Sequence, residues 1–310
     1  MIKLFNINDY KIDTSIFDHS LHASIVEEFE NKFAEYVGAS YACSVSSATN
    51  AIFLSLLDKN TVVQVPSIIP PVVLNAIINS GNRIKFVDNT EWVGDSYVLH
   101  DFGDYKIIDS AQKVEKDQYL KEASNDDLMI FSFYPTKPVG SLDGGIIVSN
   151  NHDKIRWFKA AVMNGMEYAN NNWERKIKFA GWKMYMSSIQ AYVATQNFYK
   201  LEEKKKILKQ VREKYNKEFN LSNTSEHLYR INVKNRDDFI KQMKKLGISC
   251  GIHYAAAHLL EPYSKYSEQA LPKSEISEKT TVSIPFNEQL TDINLQYIIS
   301  SVKKHGELIL

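Results

Sequence analysis

Residues 128–149 read LMIFSFYPTKPVGSLDGGIIVS. The apolar run 128–133 has the composition of a strand, Tyr134-Pro135-Thr136 ends it, and Gly144-Gly145 opens a second β-branched run. One lysine, Lys137, stands between them, close to Pro135 and Pro138. Held just past a strand end between prolines, such a lysine loses much of the freedom that surface lysines keep. If protein atoms desolvate it, its pKa falls until the neutral amine is a nucleophile toward aldehydes. The plainer alternative is a solvated loop lysine, and this stretch alone does not choose between them.

Working outward, residues 105–112 read YKIIDSAQ, a buried-looking strand over 105–108 with Asp109 at its carboxyl end. An aspartate there either caps the following turn or holds a protonated ring nitrogen presented by a ligand. Further upstream, 41–45 reads as a short strand running into Ser46-Ser47-Ala48-Thr49-Asn50 and an apolar helix over 51–57. Strand, hydroxyl-rich turn and helix leave free backbone N–H groups at a positive helix end, where an anion such as phosphate fits. An ordinary N-cap by Ser47 or Thr49 is the alternative.

The helix SIVEEFENKFAEYV at 24–37 puts Ile25, Val26, Phe29, Phe33, Tyr36 and Val37 on one face, and Gly38 stops it. Strands at 61–65 and 83–87 flank a helix at 72–79 that follows Pro70-Pro71. Strands separated by helix-length segments predict an α/β fold with a mostly parallel open sheet and flanking helices. Ligands of such sheets sit beyond the carboxyl ends of the strands. After Asn150 the character changes. One or two long helices span 188–219, and strand 227–233, helix 237–246, the loop Gly251-Ile252-His253-Tyr254, strand 281–284 and a last helix 292–303 describe a small C-terminal α+β domain. The division expected is a large domain over 1–200 and a small one over 201–310, within the size that 310 residues and 44% hydrophobic content support.

Charge excludes some partners. With 37 basic and 37 acidic side chains there is no global field favouring nucleic acid, and the run EEKKKILK at 202–209 mixes both signs as a solvated helix face does. Cys43 and Cys250 lie too far apart in the chain for zinc or disulfide spacing, which points to a reducing compartment. No segment is long enough to span a bilayer, so a soluble cytoplasmic protein is expected.

The elements now stand in a recognisable order: EEFENKFAEYVGA, SVSSATNAIFLSL, VQVPS with NAI, IKFVD, IIDSAQ, FSFYPTK with DGG, GWKMYMSSIQAY, HLYRINV, GISCGIHYAAAH and LPKSE with SIPF and LT. Together they resemble the sugar-nucleotide aminotransferases of the DegT/StrS type, pyridoxal-phosphate enzymes of fold type I, over nearly the whole chain. The resemblance implies that Lys137 condenses with the aldehyde of pyridoxal 5′-phosphate and later moves protons between cofactor and substrate. It implies that Asp109 pairs with the pyridinium nitrogen, so that the ring acts as an electron sink. Gln112 would bond the ring's 3-oxygen, and Thr49, the Asn50 backbone and Ser132 would hold the phosphate. Tyr134 and His253 would face the substrate. For His253 and His258, structural hydrogen bonding is an equal alternative to contact with sugar or nucleotide.

Relatives that remove a hydroxyl carry histidine at the position of Lys137, so lysine favours transamination. The implied reaction takes the amino group of glutamate, through pyridoxamine phosphate, to a keto group of a nucleotide-linked deoxysugar. SSAT and GIHYAAAH lean toward C4 over C3, as in enzymes serving lipopolysaccharide or O-antigen synthesis. A homodimer with sites at its interface is implied, Lys183 standing where an asparagine usually reaches the neighbouring phosphate.

The chain departs from the family pattern in four places. Pro70 occupies the position of an aromatic residue that stacks on the ring, a loss of about 0.5 to 1.5 kcal/mol beyond burial. Lys183 and Tyr185 replace asparagine and arginine, and the N-terminal arm is short. Between Asp88 and Asp109 only NTEWVGDSYVLHDFGDYKII remains, too little for a parallel crossover after His100-Asp101-Phe102-Gly103. Either a hairpin forms there or the sheet has lost a strand. These departures motivate a competing reading, a relative without turnover kept as a structural or regulatory subunit.

Overall fold

A computed structural model describes residues 1–17, 22–168 and 175–309. The first part of the chain builds α1 (Ser24–Val37), β1 (Tyr41–Val45), α2 (Ala48–Leu56), β2 (Val62–Pro66), α3 (Pro71–Asn79), β3 (Arg83–Val87), β4 (Tyr97–Asp101) and β5 (Lys106–Asp109). There follow α4 (Gln118–Glu122), β6 (Leu128–Ser132), β7 (Gly145–Ser149), α5 (His152–Val162), β8 (Met166–Tyr168), β9 (Arg175–Ile177), α6 (Ser188–Phe198) and α7 (Leu201–Phe219). The C-terminal part adds β10 (Tyr229–Asn232), α8 (Arg236–Lys245), α9 (Glu261–Ser264), α10 (Pro272–Thr280), β11 (Thr281–Ile284) and α11 (Asp292–His305).

Helix ends follow local chemistry. Gly38 takes the left-handed conformation (φ 81°) that lets its N–H close the last turn of α1. Ser47 caps α2 through the Asn50 N–H, and Thr291 caps α11 in a reciprocal box with Asn294.

The central sheet has the order β1-β7-β6-β5-β4, with β2 and β3 as a separate parallel pair. The α/β layering is as expected, but the mostly parallel sheet is corrected to a mixed one. β5 and β6 are parallel, whereas β1/β7, β6/β7 and β4/β5 are antiparallel. The reason is connection length. The turn at 102–105 returns the chain beside β4 with no room for a crossover helix, and the loop carrying Lys137, folded back by the Lys137 N–H to Tyr134 O and Ser141 N–H to Phe133 O bonds, returns it beside β6. The choice left open upstream of Asp109 is therefore a hairpin.

Direction still matters for the site. Following the pairings, β1, β5 and β6 run the same way, so Val45, Asp109 and Ser132 end at one edge of the sheet. Strands β6 and β7 are buried at every position, as central strands covered on both faces must be. Ile108, Met129, Phe131, Ile146 and Val148 pack with Phe29 and Phe33 of α1 on one face. Ile107, Leu128, Ile130 and Ile147 pack with residues of α2, α3 and α5 on the other. A third cluster joins β10 and β11 to α7, α8 and α11, with Ile2 against it. Glu30 of α1 is buried because Ser44 N–H and Oγ donate to it and Lys159 pairs with it at 2.9 Å.

Gly145 is where sheet and helix meet most tightly. A Cβ there would lie 2.5 Å from the Ala48 nitrogen, so β7 can touch the start of α2 only without a side chain. Gly145→Ala should therefore destabilise the fold by about 1 to 3 kcal/mol, the usual cost of forced overpacking. Thermal or urea unfolding of the variant checks this, an unchanged midpoint being the contrary result.

Candidate active site

Lys137 sits in a loop braced from several sides. The Lys137 N–H donates to Tyr134 O at 2.9 Å, Ser141 N–H donates to Phe133 O at 2.8 Å, and Lys204 Nζ donates to Pro138 O at 3.2 Å. Asn197 donates to Gly140 O, and Ser141 Oγ donates to Gln190 O at 2.7 Å, tying the loop to α6. The half-buried lysine is held by its own turn and by the helices behind it.

Desolvation is the dominant effect on its amine, whose pKa falls to about 8, with the charge of Asp109 opposing the fall. Asp109 is 3% exposed, and burial pushes its pKa up against the pull of the Ala111 N–H, of Lys137 and of Tyr97. Each group senses the other's charge, yet no direct ion pair joins these two described residues. Both therefore move toward their neutral forms.

Around them lie groups that the sequence did not single out. Tyr97 Oη donates to Asp109 Oδ2 at 3.1 Å. Trp92 packs on Tyr97 at 4.6 Å between ring centroids and stacks on Tyr254 at 6.3 Å. His227, stacked on Phe5, is driven well below the normal imidazole range by burial and by the charge of Lys137. Arg230 donates to Thr90 O at 3.1 Å and to His253 O at 3.4 Å. Their approach depends on contacts between distant segments, to which local sequence patterns are blind.

Of the residues predicted from sequence, Ser132 and the start of α2 come together. Ser132 is the register partner of Gly145, whose backbone abuts Ala48 and Ser47. Ser132 Oγ accepts from Tyr134 N–H at 3.3 Å, and Thr49 lies half-buried in the first turn of α2. The Asn50 N–H meets Ser47 Oγ at 3.3 Å, so the ordinary cap exists beside any anion role. Gln112 is buried with Oε1 accepting from Gly94 N–H at 2.9 Å. His253 joins the site. Its Nδ1 lies 2.9 Å from Ser283 Oγ, and burial, Lys137 and Arg230 pull its pKa down to about 4, so the ring is neutral at pH 7.

His258 does not join in the same way. It is buried with Nδ1 2.5 Å from Ser67 Oγ, the structural alternative raised above. Tyr134 is 54% exposed at the loop surface. Lys183 is exposed too, bridged to Met163, two residues before the bridge of Tyr185 to Val45. Pro70 is the N-cap residue of α3.

The residues present fit a pyridine carrying an aldehyde and a phosphate. An amine of lowered pKa faces a buried carboxylate that keeps spare lone pairs, and a helix N-terminus with a serine beside it lies along the same edge. The sequence matches the DegT/DnrJ/EryC1/StrS aminotransferase family over residues 18–94 and 107–303. The chain belongs to this family. It is a sugar aminotransferase whose cofactor is pyridoxal 5′-phosphate.

Among curated relatives, the UDP-4-amino-4,6-dideoxy-N-acetyl-β-L-altrosamine transaminase of Campylobacter jejuni (strain 81-176) is 24% identical, the alignment covering 86% of this chain and 85% of that one. Among solved structures, the aminotransferase TlmJ of Streptoalloteichus hindustanus superposes with a TM-score of 0.82 at 19% identity, covering 98% of both chains. The PLP form of Spr1654 from Streptococcus pneumoniae gives 0.78 at 16% identity, covering 97% of both. These similarities run the full length of the aminotransferase fold. Among the described residues, no helix is long and apolar enough to cross a membrane.

The titration of Lys137 is directly testable in the apo-aminotransferase. Because its folded pKa is lowered, the neutral amine emerges as pH rises through about 8 instead of the ordinary lysine value of 10.5. Mass-spectrometric mapping of an amine-acylating reagent should show Lys137 modified with a midpoint near pH 8. Asp109→Asn removes the one charge that raises this pKa, so it should move the midpoint lower. A midpoint near that of surface lysines would contradict the desolvated environment.

Proposed function

We propose that this aminotransferase moves the amino group of glutamate to the C4 keto group of a nucleotide-linked deoxysugar, in the cytoplasm, for cell-surface polysaccharide or glycoconjugate synthesis such as lipopolysaccharide O-antigen. The observation that carries the reading is the desolvated amine of Lys137 set opposite the buried carboxylate of Asp109. Lysine at that position, where dehydrating relatives have histidine, supports transamination. The Campylobacter relative, a UDP-4-amino sugar transaminase, supports C4 over C3.

When bound, the cofactor supplies an aldehyde that carries nitrogen and a ring that accepts electrons. In this proposal Lys137 Nζ would hold the cofactor through its aldehyde carbon, and its amine, when free, would move a proton between the substrate carbon and the cofactor. Desolvation holds this amine toward its neutral form, so the same group serves as base and, protonated, as acid. Asp109 keeps the ring nitrogen protonated by ionic hydrogen bonding. Gln112 orients the 3-oxygen, while Thr49, the Asn50 N–H and Ser132 hold the phosphate with the partial positive charge of the α2 N-terminus. Neutral His253 and exposed Tyr134 face the sugar, and Lys183 reaches the phosphate of the partner in a homodimer. Conservative packing at Pro70 replaces an aromatic ring face.

The competing idea, a non-catalytic relative, rests on Pro70, Tyr185 and the shortened region before Asp109. The hairpin keeps Asp109 at the sheet edge, which weakens the last of these motives. The test is spectroscopic. The holoenzyme should be yellow, its visible band should shift with glutamate, and Lys137→Ala should abolish the shift and reduce turnover by several orders of magnitude. A panel of keto sugar nucleotides assayed with glutamate, with NMR of the product, then locates the amine. A protein that stays colourless with added cofactor defeats the proposal, and a C3 amine corrects its position.

A further inference from the structure

The family match breaks between residues 94 and 107, and the missing segment includes β4 and its turn. Here the chain doubles back. The pairings Asp101↔Lys106 and His100↔Ile107 give way, across an irregularity at Leu99, to Val98↔Ile108 and Tyr97↔Asp109. The bulge thus sets Tyr97 directly across from the carboxylate, on the same face of the sheet.

We propose that Tyr97 is a positioning residue of this aminotransferase: its hydroxyl fixes the Asp109 carboxylate and lowers its basicity, so that the proton between Asp109 and the cofactor's ring nitrogen stays on nitrogen. The proposal rests on the reading of Asp109 as the ring-nitrogen partner. The geometry is specific. Tyr97 Oη donates to Oδ2 at 3.1 Å while Ala111 N–H donates to Oδ1 at 2.9 Å, which locks the carboxylate plane. Each oxygen still has a free lone pair for a ring N–H. Trp92 holds the phenol in place, and its own Nε1–H is anchored on Ile68 O at 3.0 Å.

The groups that face Asp109 are Tyr97 from β4, Lys137 from the β6–β7 loop and Tyr254 from the loop after Gly251. Burial raises the carboxyl pKa, and Tyr97, Ala111 and Lys137 hold it down. In the family's chemistry Lys137 becomes engaged with the cofactor, which leaves Tyr97 and the Ala111 N–H as the constant donors. Burial and Asp109 itself drive the phenol pKa far above its usual value, so Tyr97 remains a donor at any working pH. Losing this O–H would make the carboxylate more basic and draw the shared proton off the ring.

The experiment compares wild type, Tyr97→Phe and Asp109→Asn, each loaded with pyridoxal phosphate or with an analogue whose ring nitrogen is replaced by C–H. With the natural cofactor, Tyr97→Phe should weaken binding about tenfold, a typical effect of losing a hydrogen bond to a charged group. It should also alter the pH dependence of the visible band. With the analogue, wild type and Tyr97→Phe should bind alike. Equal losses with both cofactors would reduce Tyr97 to a structural role, and no loss with either would overturn the proposal outright. If Asp109→Asn changes neither affinity nor spectrum with the natural cofactor, the reading of Asp109 fails instead. Should Tyr97→Phe not fold, difluorotyrosine at position 97 serves. As a stronger donor it should shift the band's pH dependence the opposite way from proton loss at the ring, and an unshifted band overturns the proposal.

Discussion

Taking the amine of Lys137 out of water is the constraint that shapes the site. A solvated ammonium gains nothing from the sheet edge. A desolvated one loses hydration, and the charge of Asp109 restores only part of the loss, so the balance settles at a pKa of about 8. Had the two groups met as a direct ion pair, mutual attraction would hold both charged and leave no nucleophile. Holding them apart, each within the other's field, is the arrangement that gives a reactive amine beside a carboxylate.

That separation is enforced by the framework. Asp109 ends a strand whose parallel neighbour β6 leads straight into the lysine loop, so their spacing comes from backbone pairing, not from flexible side chains. The loop is braced by Lys204, Asn197 and Gln190, and β7 returns against α2 through Gly145. The strand pairs and the helix start converge because β1, β5 and β6 share one direction. The sheet can be mixed without disturbing the site, since β7, between β1 and β6, and β4, beside β5, leave the carboxyl ends of β1, β5 and β6 at the same edge.

In the segment before Asp109, where the family match breaks off, a turn and not a crossover joins β4 to β5. A parallel strand needs a crossover, but a hairpin needs only a turn. The hairpin covers the flank of β5, buries Leu99, and brings Tyr97 to the carboxylate. A segment that reads in the sequence as a loss thus adds a donor at the site.

Much of this was legible from residues alone. Tyr41–Val45, Arg83–Val87, Thr281–Ile284 and the first helix carry patterns strong enough that burial follows from local periodicity, and Lys137 and Asp109 were marked by their places at strand ends. Cap chemistry at Gly38, Ser47 and Thr291 was equally local. Strand direction was not, because antiparallel and parallel partners leave similar apolar runs. Simple hairpin counting from the turn at 102–105 would set Val98 opposite Asp109, and only the irregularity at Leu99 substitutes Tyr97. His227, Trp92, Tyr254 and Arg230 reach the site through contacts between segments far apart in the chain. What the sequence determined was many of the elements and the chemistry carried at their ends. The tertiary structure decided which of those ends meet, because desolvation and register depend on packing partners that no local pattern contains.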